Sequence, residues 1–240
     1  MIGRYKPKNN LTKSISKESI LILMPTYKWL PTETFSSFLK MIWEMKKKYH
    51  VDMHIVENTL IGEARNKLIN DAINGYLSKV KYDYVLWCDS DHIFDISLFE
   101  TLKNDITRYN LDMVSALYFS RRSNDIKPIA MVKSDKDGKY HNLLEIPENK
   151  LIEIDACGFG FFLMKSKVLL DVFKKYKYPF TEGNIHNVGE DILFLNKAEE
   201  FGYKAWIDTG CVIRHYGGSV GMEEYLVYRT KKGELKNDAS

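Results

Sequence analysis

Asp89 and Asp91 are the residues best placed to do chemistry, because they end the run Tyr84-Val85-Leu86-Trp87-Cys88-Asp89-Ser90-Asp91-His92. The apolar part reads as a buried strand, so both carboxylates should emerge at its carboxyl end, where open α/β sheets hold their ligands. Two acids at one sheet edge repel unless a cation lies beside them. A divalent ion with oxygen ligands, itself gripping a diphosphate, relieves that repulsion. The expectation is a metal and nucleotide-diphosphate site. The plainer alternative is a solvated turn or a helix cap, with Asp91 capping a helix near Ser97 if that helix starts early.

Other residues offer matching chemistry. Glu190-Asp191 opens a helix, where acids are already favoured by the helix dipole and where one could also accept a proton from an attacking hydroxyl. His215 follows an apolar strand within Arg214-His215-Tyr216-Gly217-Gly218, as a loop histidine or as a metal ligand. Arg65, in Gly62-Glu63-Ala64-Arg65-Asn66, offers a bidentate match to phosphate or an ordinary salt bridge. Arg121 and Arg122 could also reach phosphate or acceptor. His92 should point away from the acids if the turn is tight. Cys157 has no basic neighbour in sequence and is not expected to be a nucleophile.

The elements that must position these residues alternate between strand and helix, the pattern of an α/β layer fold. Strands are expected over 20–24, 54–56, 83–88, 112–117, 152–156 and 205–213. Helices are expected over 34–48, 62–80, 98–109, 168–175 and 190–201, with Gly202 ending the last. Residues 124–154 read as a hairpin insertion with a turn at Gly138 and a strand over 129–132. Cys157-Gly158-Phe159-Gly160-Phe161-Phe162 reads as a glycine-interrupted core strand.

The order of these pieces resembles glycosyltransferases of the GT-A fold, most like the family 2 group. The resemblance is carried by the opening strand ending in Pro25-Thr26, Asp89-Ser90-Asp91 after an apolar strand, Gly158-Phe159-Gly160, and Gly189-Glu190-Asp191 with His215 downstream. It spans about residues 20–218 and implies a single domain: a mixed, mostly parallel central sheet flanked by helices. It also implies sugar transfer from a nucleotide-diphosphate sugar, UDP- or GDP-linked, to a glycan or other hydroxyl acceptor. By resemblance, Asp91 binds the metal, Asp89 contacts the ribose or donor sugar or joins in metal binding, and His215 is a further ligand for manganese or magnesium. Pro25, Thr26, Tyr27, Glu57, Asn58, Arg65 and Ser90 fall where relatives cradle nucleotide and donor. Gly158, Phe159 and Gly160 fall beneath the acceptor, with the aromatic as a platform for a sugar face. Asp191 falls at the base of inverting relatives, with Glu190 as its substitute or as an acceptor contact. The resemblance implies inversion, although a late metal-binding histidine occurs in retaining members too. A nucleotidyltransferase would be expected to carry a glycine-rich basic loop after the first strand, which Pro25-Thr26-Tyr27-Lys28-Trp29 is not. A non-catalytic sugar-nucleotide or glycan-binding module would not need metal and base candidates together.

Composition sets outer bounds. With 240 residues, 45% hydrophobic and 28% charged, the chain can bury one substantial core. A net charge of +3 with interspersed lysines makes no case for nucleic acid, although a lysine-rich face suits a polyanionic or peripheral membrane partner. Cys88, Cys157 and Cys211 are far apart in apolar sequence, as reduced cytoplasmic thiols would be. A flexible basic tail is expected over 1–18, the catalytic domain over 19–220 and a polar tail over 221–240. No secretory signal or membrane span is legible.

Overall fold

The structure, a computed structural model, describes residues 17–57, 59–76, 81–120, 126–184, 188–216 and 222–233. Its centre is a seven-stranded sheet in the order β2-β1-β3-β10-β5-β11-β8. These strands are β1 (Ser19–Pro25), β2 (His50–Val56), β3 (Tyr84–Cys88), β5 (Met113–Leu117), β8 (Leu151–Ile154), β10 (Phe161–Lys165) and β11 (Ala205–Val212). β1, β2 and β3 run parallel to one another, as do β5 and β11, whereas β10 lies antiparallel between β3 and β5 and β8 closes the far edge antiparallel to β11. The fold is thus mixed α/β with a mostly parallel sheet, as expected.

Continuous apolar strands follow from burial on both faces. In β1, Ile20, Ile22 and Met24 face one core layer, while Leu21 and Leu23 face the other. The first layer is covered by α1 (Thr32–Lys48) and α3 (Ile96–Tyr109), the second by α2 (Ile61–Asp71), α4 (Ser166–Lys175) and α5 (Glu190–Glu199). Gly202, at φ +82°, ends α5 in a conformation that a Cβ would oppose.

Several boundaries differ from the sequence reading. β2 begins at His50 rather than residue 54, because an edge strand leaves His50, Asp52 and His54 only partly buried and so tolerates their polar groups. The helix expected over 62–80 passes into a π-helical turn at Ala72–Tyr76, and 77–80 lie outside the described residues. Asp95, not Asp91, caps α3 by accepting from the Ser97 amide at 2.7 Å. The region over 124–154 does contain a hairpin, β6 (Ala130–Lys133) with β7 (Tyr140–Asn142), but β8 leaves it to join the main sheet. Within the expected tail over 221–240, Met222–Lys231 forms helix α6. It docks by stacking Tyr225 on Phe119, with ring centroids 4.8 Å apart, and by Arg229 Nη1 donating to the Leu144 carbonyl at 2.5 Å. Tyrosine and arginine supplied that docking face, and a polar composition concealed it. Among the described residues no helix is long and apolar enough to cross a membrane.

Candidate active site

The carboxyl ends of β1, β3 and β5 meet the amino end of β10, and this junction assembles the site. Asp89, directly after β3, donates its amide to the Gly160 carbonyl at 2.9 Å, so the acidic turn is fixed against the glycine segment. Thr26 donates its amide to the Val56 carbonyl at 2.8 Å, which sets the loop after β1 beside the same turn. Pro25, Thr26, Tyr27, Thr59, Leu60, Ala64, Asp89, Ser90 and Asp91 line a cavity of about 380 Å³. Most of the expected donor residues are therefore together, Glu57 is exposed and not among the lining residues, and Asn58 lies outside the described residues.

Arg65 organises the acids. It is almost fully buried, with its guanidinium over the rings of Trp87, Phe159 and Phe180. Its Nη2 lies 2.9 Å from Asp89, and its Nε lies 3.3 Å from both Glu190 and Asp191. Burial opposes the cation, but Asp89, Asp191 and Glu190 outweigh it and raise its pKa. The sequence left Arg65 open to phosphate or to a salt bridge; the structure pairs it with three protein carboxylates. Its Nη1 has no hydrogen-bond partner among the described residues. Asn66 fixes the other wall, its Oδ1 accepting from the Phe180 amide at 3.0 Å and its Nδ2 donating to Thr181 Oγ1 at 2.8 Å.

Asp191 faces a second cavity, of about 310 Å³, lined by Tyr118, Ser120, Cys157, Gly158, Ile192 and His215 among others. Burial raises its pKa, Glu190 and Asp89 add to the rise, and Arg65 opposes it. A carboxylate held this way accepts a proton more readily than one in water. Burial pushes the Cys157 thiol up, which keeps it protonated and agrees with its non-nucleophilic reading.

Between the two cavities lies a group that the sequence reading assembled only in part. A two-residue ladder pairs β4 (His92–Ile93) with β12 (Arg214–His215), setting His92 opposite His215. Tyr216 donates its amide to the Asp91 carbonyl at 2.7 Å and holds the ladder closed. The imidazoles stand 4.2 Å apart between centroids, and Asp91, His92 and His215 each offer a ligand atom within 4.8 Å of the others. His92 therefore turns toward the acids, contrary to expectation, because the chain after Asp91 re-enters extended structure instead of continuing a tight turn. His92 Nδ1 is 2.9 Å from Asp91 Oδ1, but neither ring nitrogen makes a hydrogen bond with a described residue. Burial lowers the His92 pKa to about 4, Asp89 pulling the other way, so the ring is neutral at pH 7 and one of its nitrogen atoms can act as a ligand. The neutral His92 imidazole, the His215 ring beside it and the Asp91 carboxylate form a donor set that fits a transition-metal ion.

The glycines serve this cluster. A Cβ on Gly158 would lie 1.7 Å from the Tyr118 hydroxyl, and one on Gly160 would lie 2.7 Å from the His92 ring. Tyr118 meets both His92 and His215 edge-on. The close approach expected for an acceptor is thus made largely by the protein's own side chains. Phe159 is buried and stacks on Phe162 at 4.3 Å, so it supports Arg65 from the core and is no sugar platform. Arg121, Arg122, Gly217 and Gly218 lie outside the described residues. The pairing of His92 with His215 had one sequence signal, a histidine directly after the acidic motif, but not the ladder that gives it meaning.

No protein-family model and no curated protein matches the chain. Among solved structures, A197 from STIV aligns with a TM-score of 0.53 at 17% identity, over 82% of this chain and 85% of that one. CMP:2-keto-3-deoxy-manno-octonic acid synthetase complexed with CTP aligns at 0.47 and 10% identity, covering 91% of this chain and 100% of that one. S. aureus TarS 1-349 aligns at 0.47 and 14% identity, covering 92% and 66% respectively. The likeness to A197 is one of fold, and the seven-stranded sheet flanked by helices is consistent with a single-domain GT-A-like fold.

Proposed function

We propose that the chain is a metal-dependent glycosyltransferase that moves a sugar from a nucleotide-diphosphate donor to an acceptor hydroxyl. The observation that carries this reading is the placement of Asp89-Ser90-Asp91 along one cavity and Asp191 along another, with Arg65 tying Asp89 to Asp191. Donor and acceptor then meet across the acidic turn.

In this reading Pro25, Thr26, Tyr27 and Ser90 cradle the nucleotide, with UDP- or GDP-sugars as the donors to test first. Asp91, His92 and His215 would hold the metal, and the two imidazoles favour manganese over the oxygen-preferring magnesium. The ion supplies a counter-charge for the departing diphosphate. Asp191 takes the acceptor proton as the new bond forms, and its place on the acceptor side suits direct displacement with inversion. Glu190 shares Arg65 with Asp191 and can stand in as base or contact the acceptor. Arg65 fixes both acids and leaves Nη1 to reach the donor.

The test is turnover with a panel of nucleotide sugars and manganese, measuring nucleoside diphosphate release. Release that is lost in Asp91→Ala and in Asp191→Asn, with nucleotide binding kept only in the latter, is expected. Pyrophosphate release from a nucleoside triphosphate plus sugar would instead identify a nucleotidyltransferase. Binding without turnover, unchanged by Asp191→Asn, would identify a binding module.

A further inference from the structure

Strand β2 forms one edge of the main sheet, and among the described residues no strand pairs with its outer side. Its backbone groups alternate in direction. His50 donates its amide to the Glu18 carbonyl at 2.9 Å, and the Val56 carbonyl accepts from the Thr26 amide at 2.8 Å, so the even-numbered positions address β1. The N–H and C=O groups of Val51, Met53 and Ile55 therefore point out of the sheet edge. Their side chains share the α1 face, where Val51 is buried with the core residues of that helix, but Met53 and Ile55 are 41% and 39% exposed. Native edges are blunted by charge, proline or a covering loop, and an edge bearing apolar side chains is a template for another strand.

Helix α1 extends this surface. Phe38, Met41, Ile42 and Met45 face the sheet. Ser37 and Lys48 mark the side toward α3: Ser37 Oγ accepts from the Phe94 amide, and Lys48 donates to Glu100 of α3. Leu39 lies about 160–180° around the helix from both. Phe35 and Trp43, four residues before and after it, share its flank, and the three side chains are 48% (Phe35), 46% (Leu39) and 70% (Trp43) exposed. Because α3 packs on β5, β10 and β11 while α1 packs on β2, the flank turned away from α3 looks past the β2 edge. Scattered exposed apolar residues are ordinary, but a helical stripe beside an apolar open edge is not.

We propose that this edge pairs antiparallel with the same edge of a second copy of the chain, joining the two sheets across a two-fold axis at Met53. In that register Met53 faces Met53 of the second copy and Val51 faces Ile55 of the second copy. The outward backbone groups then form about six hydrogen bonds, and all three apolar side chains stay on the α1 side. On the other face Asp52 falls opposite His54 of the second copy, so no like charges meet; each is already hydrogen-bonded in its own chain, to His50 and Asp71 respectively. A two-fold at Val51 would instead carry Ile55 past the start of the opposing strand. Paired strands lie about 4.8 Å apart, so helices that cover β1 and β2 in each copy approach to about 10 Å, stripe against stripe. They run antiparallel, which sets Lys46, on the same flank, at opposite ends of the contact. This self-complementary register selects a second copy over an unrelated strand, and it does not depend on the sugar-transfer reading.

The test is sedimentation velocity of the full chain over a concentration series, where a reversible monomer–dimer equilibrium is expected. Met53→Lys sets like charges opposite each other at the two-fold and should weaken dimerisation about tenfold or more, as should Trp43→Ser. The amides of Val51, Met53 and Ile55 should exchange hydrogen about tenfold more slowly at high concentration than at low, while those of Asp52 and His54, already in the β1 ladder, change little. A short bismaleimide should join copies of Met53→Cys but not of Phe201→Cys, because Cys88, Cys157 and Cys211 are buried. Far-ultraviolet circular dichroism matching the wild type shows that the variants fold, and Trp43→Ser alone serves if Met53→Lys does not. Folded protein that stays monomeric throughout, a dimer unaffected by both substitutions, or a dimer that leaves the Val51, Met53 and Ile55 amides unprotected would overturn the proposal.

Discussion

Replacing Arg65 with methionine keeps much of the side-chain volume in its cage of Trp87, Phe159 and Phe180, but removes the cation shared by Asp89, Glu190 and Asp191. Breaking a buried ion pair from one side costs about 3–5 kcal/mol, because the abandoned charge stays desolvated. For a chain of this size that lowers Tm by about 6–20 °C. Proton uptake limits the loss: protonating a carboxylate of ordinary pKa at pH 7 costs about 4 kcal/mol, and each unit of acidification reduces that by about 1.4 kcal/mol. Asp191 takes the proton, since its pKa is already raised by burial. In the variant, where Arg65 no longer opposes the rise, the folded state holds a proton that the unfolded state releases. Stability is therefore full below the unfolded carboxylate range and falls as pH rises through the folded value. The variant should fall more steeply than the wild type. Urea denaturation at pH 7 should show the full deficit, and at pH 5 a deficit smaller by about 2.7 kcal/mol. A loss below about 1 kcal/mol at pH 7, or an equal loss at both pH values, would refute the organising role of Arg65.

The metal cluster makes a paired prediction. His92→Gln should reduce manganese affinity by about tenfold or more, and Gly160→Ala should do likewise by crowding the ring, both read by calorimetry; unchanged affinity in both would remove His92 from the site. Asp191→Asn should lower turnover by about 10²–10⁴-fold while leaving the nucleotide dissociation constant unchanged. Away from the site, burial and then Asp208 raise the Asp105 pKa to about 7, so its contribution to stability is full below the ordinary carboxylate range and is lost as pH rises through 7. Asp105→Asn should raise Tm at pH 8 by about 2–4 °C, a figure reduced for the partial exposure of this group, and change it little at pH 5.

The sheet and most helices were legible because their apolar runs are long and their ends carry turn chemistry. β1, β3 and β5 alternate between two buried layers and so appear as unbroken apolar runs. The grouping of Pro25, Thr26 and Tyr27 with Asp89, Ser90 and Asp91 followed from their shared place at strand ends. What stayed hidden depends on pairings between distant segments. The β4–β12 ladder is too short to leave a periodic pattern, yet it decides where His92 points. Phe159 reads as a candidate platform by position, and only the packing around Phe162, Phe180 and Phe194 shows that it faces the core. Arg65 stayed open between phosphate and a salt bridge because nothing local reveals three carboxylates arriving from the end of β3 and from α5.

Calorimetric titration of the purified protein with UDP, GDP, CDP and dTDP, each with and without manganese, tests the central claim most directly, with Asp91→Ala as control. The account predicts manganese-dependent binding of one nucleotide, lost in the variant. Folded protein that binds none of the four in either condition would contradict it.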